Sequence, residues 1–134
     1  MYVVYEAPLQ MLCGNASNYM REPEFTRFIA QMPTTWDQTV AVEGEKGEYL
    51  VVARKNEGKW YIGGLTNWTA RDLEVDLGFL GRGKWEIEYV TDGINADRYA
   101  SDYILKNEKM TGGKKLKISM APGGGYAAIL TKID

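Results

Sequence analysis

The stretch Tyr49–Leu77 constrains the fold most, because it contains three strand-like runs separated by two turn signals. Tyr49–Lys55 and Lys59–Leu65 are rich in β-branched and aromatic residues, and the Asn-Glu-Gly sequence between them is typical of a hairpin loop. In Leu73–Leu77 apolar residues alternate with acidic ones, as in a strand with one face on a core and one in water. Both faces of the first run are apolar, so we expect that strand to be central in a β-sheet.

Further strand-like runs follow at the spacing of an all-β protein. Trp85–Tyr89 and Leu116–Met120 alternate in the same way, and Gly125–Thr131 closes the chain with apolar residues on one face. Tyr103–Met110 is rich in Lys, Asn and Glu, which predicts an edge strand. With a short strand near Val40–Val42, the chain is predicted to form an antiparallel β-sandwich of about eight strands.

The first part of the chain differs from the rest. Glu22–Met32 has Pro23 in its first turn and apolar residues at three- and four-residue spacing, which predicts a short amphipathic helix. The apolar runs Tyr2–Tyr5 and Leu9–Cys13 are too short to decide between helix and strand, and Gly14–Asn18 is predicted to be a loop. The single cysteine excludes an intrachain disulfide, and we expect it to be a small core residue.

The composition excludes several classes of site and partner. The 134 residues include no histidine, so the chain contains no Ser-His-Asp or Cys-His pair and no His-based zinc site. The net charge of −2 gives no electrostatic reason to expect nucleic acid. No apolar run approaches the roughly 20 residues of a membrane helix. We therefore expect neither nucleic acid nor a membrane as a partner.

Three acids on one strand are the candidate carboxylate site. Asp72, Glu74 and Asp76 follow one another at about 7 Å, not far from the ~5–5.5 Å separation of the carboxyl groups in retaining glycosidases. Their position on the polar face of an amphipathic strand favours the alternative, which is exposure to solvent. We expect these acids to be dispensable.

Two turn-rich segments are candidate ligand loops. Clustered oxygen atoms in 91–98 resemble a calcium loop, but the ligand spacing with its terminal Glu is missing. We expect this segment to cross between the two sheets, tied by hydrogen bonds of Asp97 and Arg98. The glycine-rich segment 121–126 does not precede a helix, as a phosphate loop must, and is predicted to be a sharp bend between the last two strands.

Aromatic side chains are the remaining candidates for a ligand site, because sugar rings stack on them. Trp36 and Trp68 are the candidate ligand-binding residues, whereas Trp60 or Trp85 is expected to anchor the core. The alternative for Trp36 is a plug at a packing interface. Two exposed, coplanar tryptophans would favour a carbohydrate-binding module, and burial of all four would argue against one.

Short segments spread along nearly the whole chain carry a family resemblance. They are YVVYEAPLQMLC at 2–13, NY at 18–19 with EP at 22–23, PTTWD at 33–37, GEY at 47–49, WYIGGLTNW at 60–68, DGINADR at 92–98 and APGGGYA at 121–127. Together these segments resemble the C-terminal end of glycoside hydrolase family 97.

The resemblance implies a parent enzyme of the bacterial α-glucosidase and α-galactosidase type. Such enzymes have an N-terminal β-sandwich, a catalytic (β/α)8 barrel with calcium in its site and a C-terminal β-sandwich, and they are periplasmic or extracellular. The resemblance also implies that residues 1–36 are a remnant of the barrel end, with a helix end at 2–5, the last barrel strand at 9–13 and the last helix at 22–32. Residues 37–134 would be the C-terminal sandwich.

The catalytic glutamates and calcium ligands of that family lie upstream of the matching segments. The resemblance therefore assigns no catalytic residue, metal ligand or cofactor to this chain, and we expect the chain to be inactive alone. The implied function is that of an accessory domain that packs on the barrel or on a second copy of itself. The alternative is a module that binds oligosaccharide through exposed aromatic side chains.

The first segment, which we define as residues 1–36, contains apolar residues that we expect to be buried by a contact, because exposed apolar patches mark association sites. The segment is predicted either to fold back across the sandwich or to pair with a second molecule. We favour pairing, because a sheet covered by its partner sheet has little free apolar face to offer. The residues concerned are Val3, Val4, Leu9, Met11 and Leu12, together with Phe25, Phe28 and Ile29 of the predicted helix.

Overall fold

Eight antiparallel strands form two sheets in the computed structural model, which describes residues 1–7 and 9–133. The strands are β1 (Gln38–Glu45), β2 (Tyr49–Asn56), β3 (Lys59–Thr66), β4 (Arg71–Asp76), β5 (Lys84–Asp92), β6 (Tyr103–Thr111), β7 (Lys115–Met120) and β8 (Gly125–Lys132). The large sheet has the order β1-β2-β3-β8-β5-β6, and the small sheet consists of β4 and β7. The predicted antiparallel sandwich is confirmed.

The main core lies between the two sheets, because alternating strands turn their apolar residues toward each other. Trp60 and Trp85 are both buried in it, as predicted. A short 3₁₀ helix, Gly78–Leu80, adds Leu80 to the same core. The other buried members of this cluster are Val51, Ala53, Ile62, Val75, Leu77, Ile87, Ile118, Met120, Tyr126, Ala128 and Leu130.

Strand positions in the large sheet follow the burial of their two faces. β2 pairs with a strand on each side, and its residues 51–54 are buried on both faces, so the predicted central position is confirmed. β6 is at an edge of the sheet, as its polar residues predicted. Charged side chains on an edge strand oppose pairing with another chain.

The turn-rich segment after β5 joins β5 to β6, which are neighbours in the same sheet. The prediction that it crosses between the sheets is therefore wrong. Asp102 closes the loop, because its carbonyl accepts from Gly93 N at 2.8 Å and its Oδ2 accepts from Asn95 N at 2.8 Å. The side chains of Asp97 and Arg98 form an ion pair at 3.7 Å, and Arg98 N donates to the Asn95 carbonyl at 2.9 Å within the loop. The long loop stays within one sheet, because Asp102, just before β6, accepts hydrogen bonds from backbone N–H groups just after β5.

The glycine-rich segment between β7 and β8 is a bend, as predicted, and carries the chain from the small sheet to the large one. Gly123 has a φ of 70°, which glycine adopts without strain. Asp92 holds both sides of the bend, because its Oδ2 accepts from Ala121 N at 2.8 Å and from Gly125 N at 3.0 Å.

Two short helices precede the sheets. α2 (Pro23–Ala30) lies within the helix predicted at 22–32. α1 (Ala16–Arg21) begins inside the segment predicted as a loop. Asn15 caps α1, because its Oδ1 accepts from Asn18 N at 3.1 Å. The helix was not predicted, because its sequence is short and polar. Neither helix is long and apolar enough to span a membrane.

Leu9–Cys13 is described completely and forms no strand, in contrast to the barrel strand that the resemblance implied. A strand needs neighbours to pair its backbone groups, and none of the described strands runs beside this segment. Cys13 is exposed, so the prediction of a core cysteine is wrong. Its apolar neighbours are exposed as well, which leaves no core for it to join.

The first residues fold back onto the outer face of the large sheet, which we define as the face turned away from the small sheet. Val3 and Phe28 are buried there against Tyr61 and Ile129. The preference for pairing with a second molecule rests on the assumption that a sheet covered by its partner sheet has little free apolar face. That assumption is wrong, because the small sheet covers only the inner face, and the outer face accepts the segment. Self-association stays a prediction.

Candidate functional site

The three acids of β4 face solvent, as predicted. Glu74 Oε1 accepts from Lys115 Nζ at 2.9 Å, and this hydrogen bond lowers the pKa of the Glu74 carboxyl. Asp72 Oδ1 accepts from Ser119 Oγ at 2.6 Å. A glycosidase acid needs a raised pKa in an enclosed site. These acids therefore have the environment of a solvated strand face.

The carboxylates around the loops do not fit a calcium ion. Asp92 and Asp102 each accept hydrogen bonds from two nitrogen donors, so these oxygens already satisfy N–H groups. The described residues contain no group of three or more His, Cys, Asp or Glu side chains that could hold a metal. We therefore propose no calcium-dependent step for these residues.

A buried arginine lies where the first segment meets the sheet. Arg54 is 4% exposed, on the outer face of β2. Its Nη2 donates to the Val4 carbonyl at 3.2 Å, and its Nη1 is 3.9 Å from Glu6 Oε2. Nε and Nη1 have no hydrogen-bond partner among the described residues. The guanidinium thus ties the first segment to the sheet while part of its donor capacity stays unused.

Trp36 covers this arginine. Its ring centroid is 5.7 Å from Arg54 Cζ and 5.3 Å from the ring of Tyr61, which it meets edge-on. The side chain is half-buried. This is the environment of the packing plug that was the alternative for Trp36, and ligand binding by Trp36 stays a prediction.

Trp68 is the most exposed of the four tryptophans, at 86%. It lies in the loop after β3, and its ring packs on Gly123, where a Cβ atom would come within 3.0 Å of Cζ3. Trp36 precedes β1 next to the end of β2, whereas Trp68 follows β3 at the opposite end of the sheet. The structure therefore does not bring the two candidate ligand-binding residues into one site.

A groove lies beside Trp68 and was not predicted. It has a volume of about 740 Å³ and is lined mainly by residues 41–50 and 65–67, with Val4 and Tyr5 at one side. We refer to it as the loop-end groove. Its charged residues come from the end of β1 and the β1–β2 turn, which in the sequence resemble any solvated hairpin.

One wall of the loop-end groove is an ordered polar network. Tyr49 Oη donates to Glu43 Oε1 at 3.0 Å, and this hydrogen bond raises the pKa of the Tyr49 hydroxyl. The guanidinium of Arg71 lies 4.7 Å from the Tyr49 ring centroid and forms an ion pair with Glu48. These contacts fix the wall of the groove.

A second cavity, of about 560 Å³, lies between the first segment and the outer face. Phe25, Phe28 and Ile29 of α2 line one side, and residues of β3, β5 and β8 line the other. The lining is mostly apolar, apart from groups such as Asp92 and Glu22. The sequence could not reveal this cavity, because it exists only after the segment has folded back.

Comparisons with known proteins agree with this architecture. The family model described as "Glycosyl-hydrolase 97 C-terminal, oligomerisation" matches residues 35–131. A solved glycoside hydrolase family 97 enzyme from Pseudoalteromonas sp. strain K8, in complex with acarbose, is 31% identical with a TM-score of 0.91. The match covers 99% of this chain and 22% of that enzyme.

Two curated relatives are named as α-galactosidases. A "Retaining alpha-galactosidase" of Bacteroides thetaiotaomicron is 49% identical over 127 residues, and a "Probable retaining alpha-galactosidase" of Streptomyces bingchenggensis is 35% identical over 128 residues. Each match covers 95% of this chain and 19% of the relative. The chain therefore spans about a fifth of the length of these relatives. These findings confirm the resemblance, and the chain belongs to the C-terminal, oligomerisation domain of glycoside hydrolase family 97.

Proposed function

We propose that this chain is a non-catalytic accessory domain of a longer family 97 glycoside hydrolase, which packs on the catalytic barrel and contributes to the assembly of the enzyme. The observation that carries the proposal is the docking of the first segment on the outer face of the large sheet. This segment buries Val3 and Phe28 against the sheet and leaves other apolar residues uncovered.

The uncovered residues support a contact with a further part of the protein. Leu9, Met11 and Met20 are 80%, 74% and 78% exposed, and Leu12 is also exposed. Burial of apolar area is favourable by roughly 25 cal/mol per Å², so exposed apolar side chains of this size favour a contact that covers them. We infer that the catalytic barrel of the parent covers these side chains. The division into a barrel remnant at 1–36 and a sandwich at 37–134 is part of this proposal.

We also propose that this chain contributes no catalytic residue. The carboxylates of β4 are exposed, and Glu74 has a lowered pKa, opposite to the requirement of a general acid. We propose that the catalytic acids and any calcium belong to the barrel of the parent. The names of the curated relatives favour α-galactosides as the substrates of the parent. They offer no specific support for α-glucosides.

The second candidate function is binding of oligosaccharide, and the exposed indole of Trp68 is the observation in its favour. An open aromatic face can stack on a sugar ring. Only one of the four tryptophans has such an open face, because Trp36 is half-buried and the other two are in the core. Assembly is therefore the function that we place first.

Two measurements on the purified chain test the proposal. We expect no hydrolysis of an aryl α-galactoside or α-glucoside, and we expect sedimentation velocity to show association that increases with concentration. Hydrolysis that a point change in this chain abolishes would contradict the non-catalytic role. A chain that sediments as a monomer at every concentration would contradict the role in assembly.

A further inference from the structure

Four loops meet at one end of the large sheet. The strand registers place Tyr49 opposite Thr66, and Leu65 opposite Gly125. They also place Asp92 opposite Tyr103. The loops that follow β1, β3, β5 and β7 are therefore neighbours at this end. Trp68 projects from the loop after β3, beside the loop-end groove.

Trp68 is exposed but held in place. Asn67 N donates to the Glu48 carbonyl at 2.7 Å, and Gly123 N donates to the Asn67 carbonyl at 2.7 Å. Thr69 N donates to Asn67 Oδ1 at 3.0 Å. These bonds fix the backbone on both sides of Trp68, so little conformational freedom is left to lose when the indole becomes buried. Rigid tryptophans of this kind are enriched among the residues that dominate protein interfaces.

The loop-end groove has the chemistry to accept an indole. Leu50 and Leu65 are among its apolar lining residues, and Glu45 and Lys46 are among its charged ones. A volume of about 740 Å³ is ample for one indole side chain. The apolar lining suits the ring, and a carboxylate of the lining is an acceptor for the indole N–H, which is a donor only.

The position of the anchor next to the groove favours a second copy of the chain as the partner. Asn67 lines the groove and directly precedes Trp68. In a two-fold contact, residue i meets residue j while j meets i, so the anchor and its receptor must lie on the same patch. Two acids of the lining are already paired, Glu43 with Tyr49 and Glu48 with Arg71. The other two charged lining residues, Glu45 and Lys46, have opposite signs, so this surface can face a second copy of itself.

The polar groups around Trp68 argue against a sugar as the occupant. Both ends of the Asn67 amide are engaged, because Oδ1 accepts from Thr69 N and Nδ2 donates to the Gly47 carbonyl. On the other side the ring packs on Gly123, which has no side chain to offer. The amide directly beside the ring is therefore already paired, and this favours an apolar contact over a sugar at this ring.

We propose that two copies of this chain form a two-fold dimer in which Trp68 of each copy enters the loop-end groove of the other. This proposal rests on the proposed role in assembly and names the surface that carries it. Tyr5 of the first segment lines this groove, whereas Leu9, Met11, Leu12 and Met20, which we assign to the catalytic barrel, do not.

Sedimentation equilibrium on the full chain tests the dimer. Trp68→Ala removes the indole that enters the groove, and Leu50→Glu adds a charge to the apolar part of the groove lining. We expect each change to weaken dimerisation about thirtyfold. Ile94→Ala is the matched control, because Ile94 is 94% exposed in a different loop of the same end, and we expect it to leave the dimer unchanged. Circular dichroism checks that each variant keeps the fold.

Mixing the two variants sharpens the test. The Trp68→Ala copy has an intact groove and the Leu50→Glu copy has an intact anchor, so the mixture regains one of the two reciprocal contacts. We expect mixed dimers that are tighter than either variant dimer and weaker than wild type.

Three results would overturn the proposal, and they can be told apart. If wild type associates and both variants match it, the surface is wrong but the role in assembly stands. If wild type stays monomeric at every concentration, the role in assembly fails as well. The third result is that neither protein dimerises and galactose shifts the tryptophan fluorescence of wild type but not of Trp68→Ala. Trp68 would then bind sugar.

Discussion

The two faces of the large sheet are covered in different ways. The inner face meets the small sheet, and the interface is a continuous apolar core. The outer face meets the first segment, whose helix α2 contributes the buried Phe28, and it contains the buried Arg54 and a cavity of about 560 Å³. One face thus has the packing of a continuous core, whereas the other contains a buried charge and a cavity.

The difference teaches where the stability of the fold lies. The inner face depends on side chains that interdigitate between two sheets, so any loss of volume there is felt throughout the sandwich. The outer face depends on close backbone approach at one point. A Cβ atom on Gly63 would lie 2.8 Å from Val3 Cβ and 2.9 Å from Val4 Cγ2. Mutations on the two faces should therefore have separable effects.

The largest effect is expected on the inner face. Trp60 is buried and packs on Phe79 with ring centroids 4.6 Å apart. Trp60→Ala leaves a cavity and should reduce the free energy of unfolding by about 3–5 kcal/mol. Urea denaturation followed by circular dichroism measures it. A loss no larger than that of an outer-face mutation would show that the inner core does not dominate the fold.

The next effect separates the faces directly. Gly63→Ala adds a methyl group where Val3 and Val4 lie, so it should displace the first segment at a cost of about 1–3 kcal/mol while the strands persist. Limited proteolysis should then cleave the segment faster. Gly64→Ala is the matched control on the inner face, because its nearest neighbour at 3.3 Å is the flexible Met120 side chain. Equal cleavage of the two variants would contradict the close-approach explanation.

The sequence predicts the inner face well and the outer face poorly, for a physical reason. Period-2 alternation in strands such as β4 and β7 records which side chains face a core, so the sandwich and the buried Trp60 and Trp85 could be predicted. The docking of Val3 on Gly63 involves residues far apart in the chain and leaves no periodic trace. The same holds for Arg54, which reads as an ordinary polar residue near the end of a strand.

The candidate site follows the same rule. The exposure of the acids on β4 could be predicted, because they alternate with apolar residues. The loop-end groove could not, because it forms only when loops distant in sequence meet. The exposed position of Trp68 depends on the crossing of the chain between sheets and on Gly123, neither of which a local pattern records.

A smaller effect is expected from the buried charge of the outer face. Replacing a buried ion pair by hydrophobic residues of similar volume is often neutral or stabilising, because the cost of desolvation disappears. The side chain of Glu6, the ion-pair partner of Arg54, is 84% exposed, so replacing Arg54 alone leaves no buried charge behind. Arg54 has two nitrogens without partners, so Arg54→Met should change the free energy of unfolding by only about 1 kcal/mol in either direction. Urea denaturation measures the change. A loss as large as that of Trp60→Ala would mean that the contacts with Val4 and Trp36 hold the fold.

The smallest effect concerns the solvated strand face, at the ion pair of Glu74 and Lys115. The hydrogen bond from Lys115 lowers the pKa of Glu74 below the ordinary 4.5. A carboxyl with a lowered pKa in the folded state contributes stability above 4.5, and this is lost as pH falls through the lower folded value. The pair also raises the pKa of Lys115 above 10.5, so its contribution is lost again as pH rises through the raised folded value.

The pair is exposed, so salt should screen most of this contribution. We expect the urea midpoint of Glu74→Gln at neutral pH to lie closer to wild type than that of any other variant considered. As pH falls from 4.5 through the lower folded pKa, the small difference between the two proteins should disappear, because protonated Glu74 no longer pairs with Lys115. Lys115→Gln is the control and should show the same pH dependence as Glu74→Gln. A Glu74→Gln midpoint lower than that of Gly63→Ala would mean that the acids of β4 are structural, and the assignment of this face to solvent would be wrong.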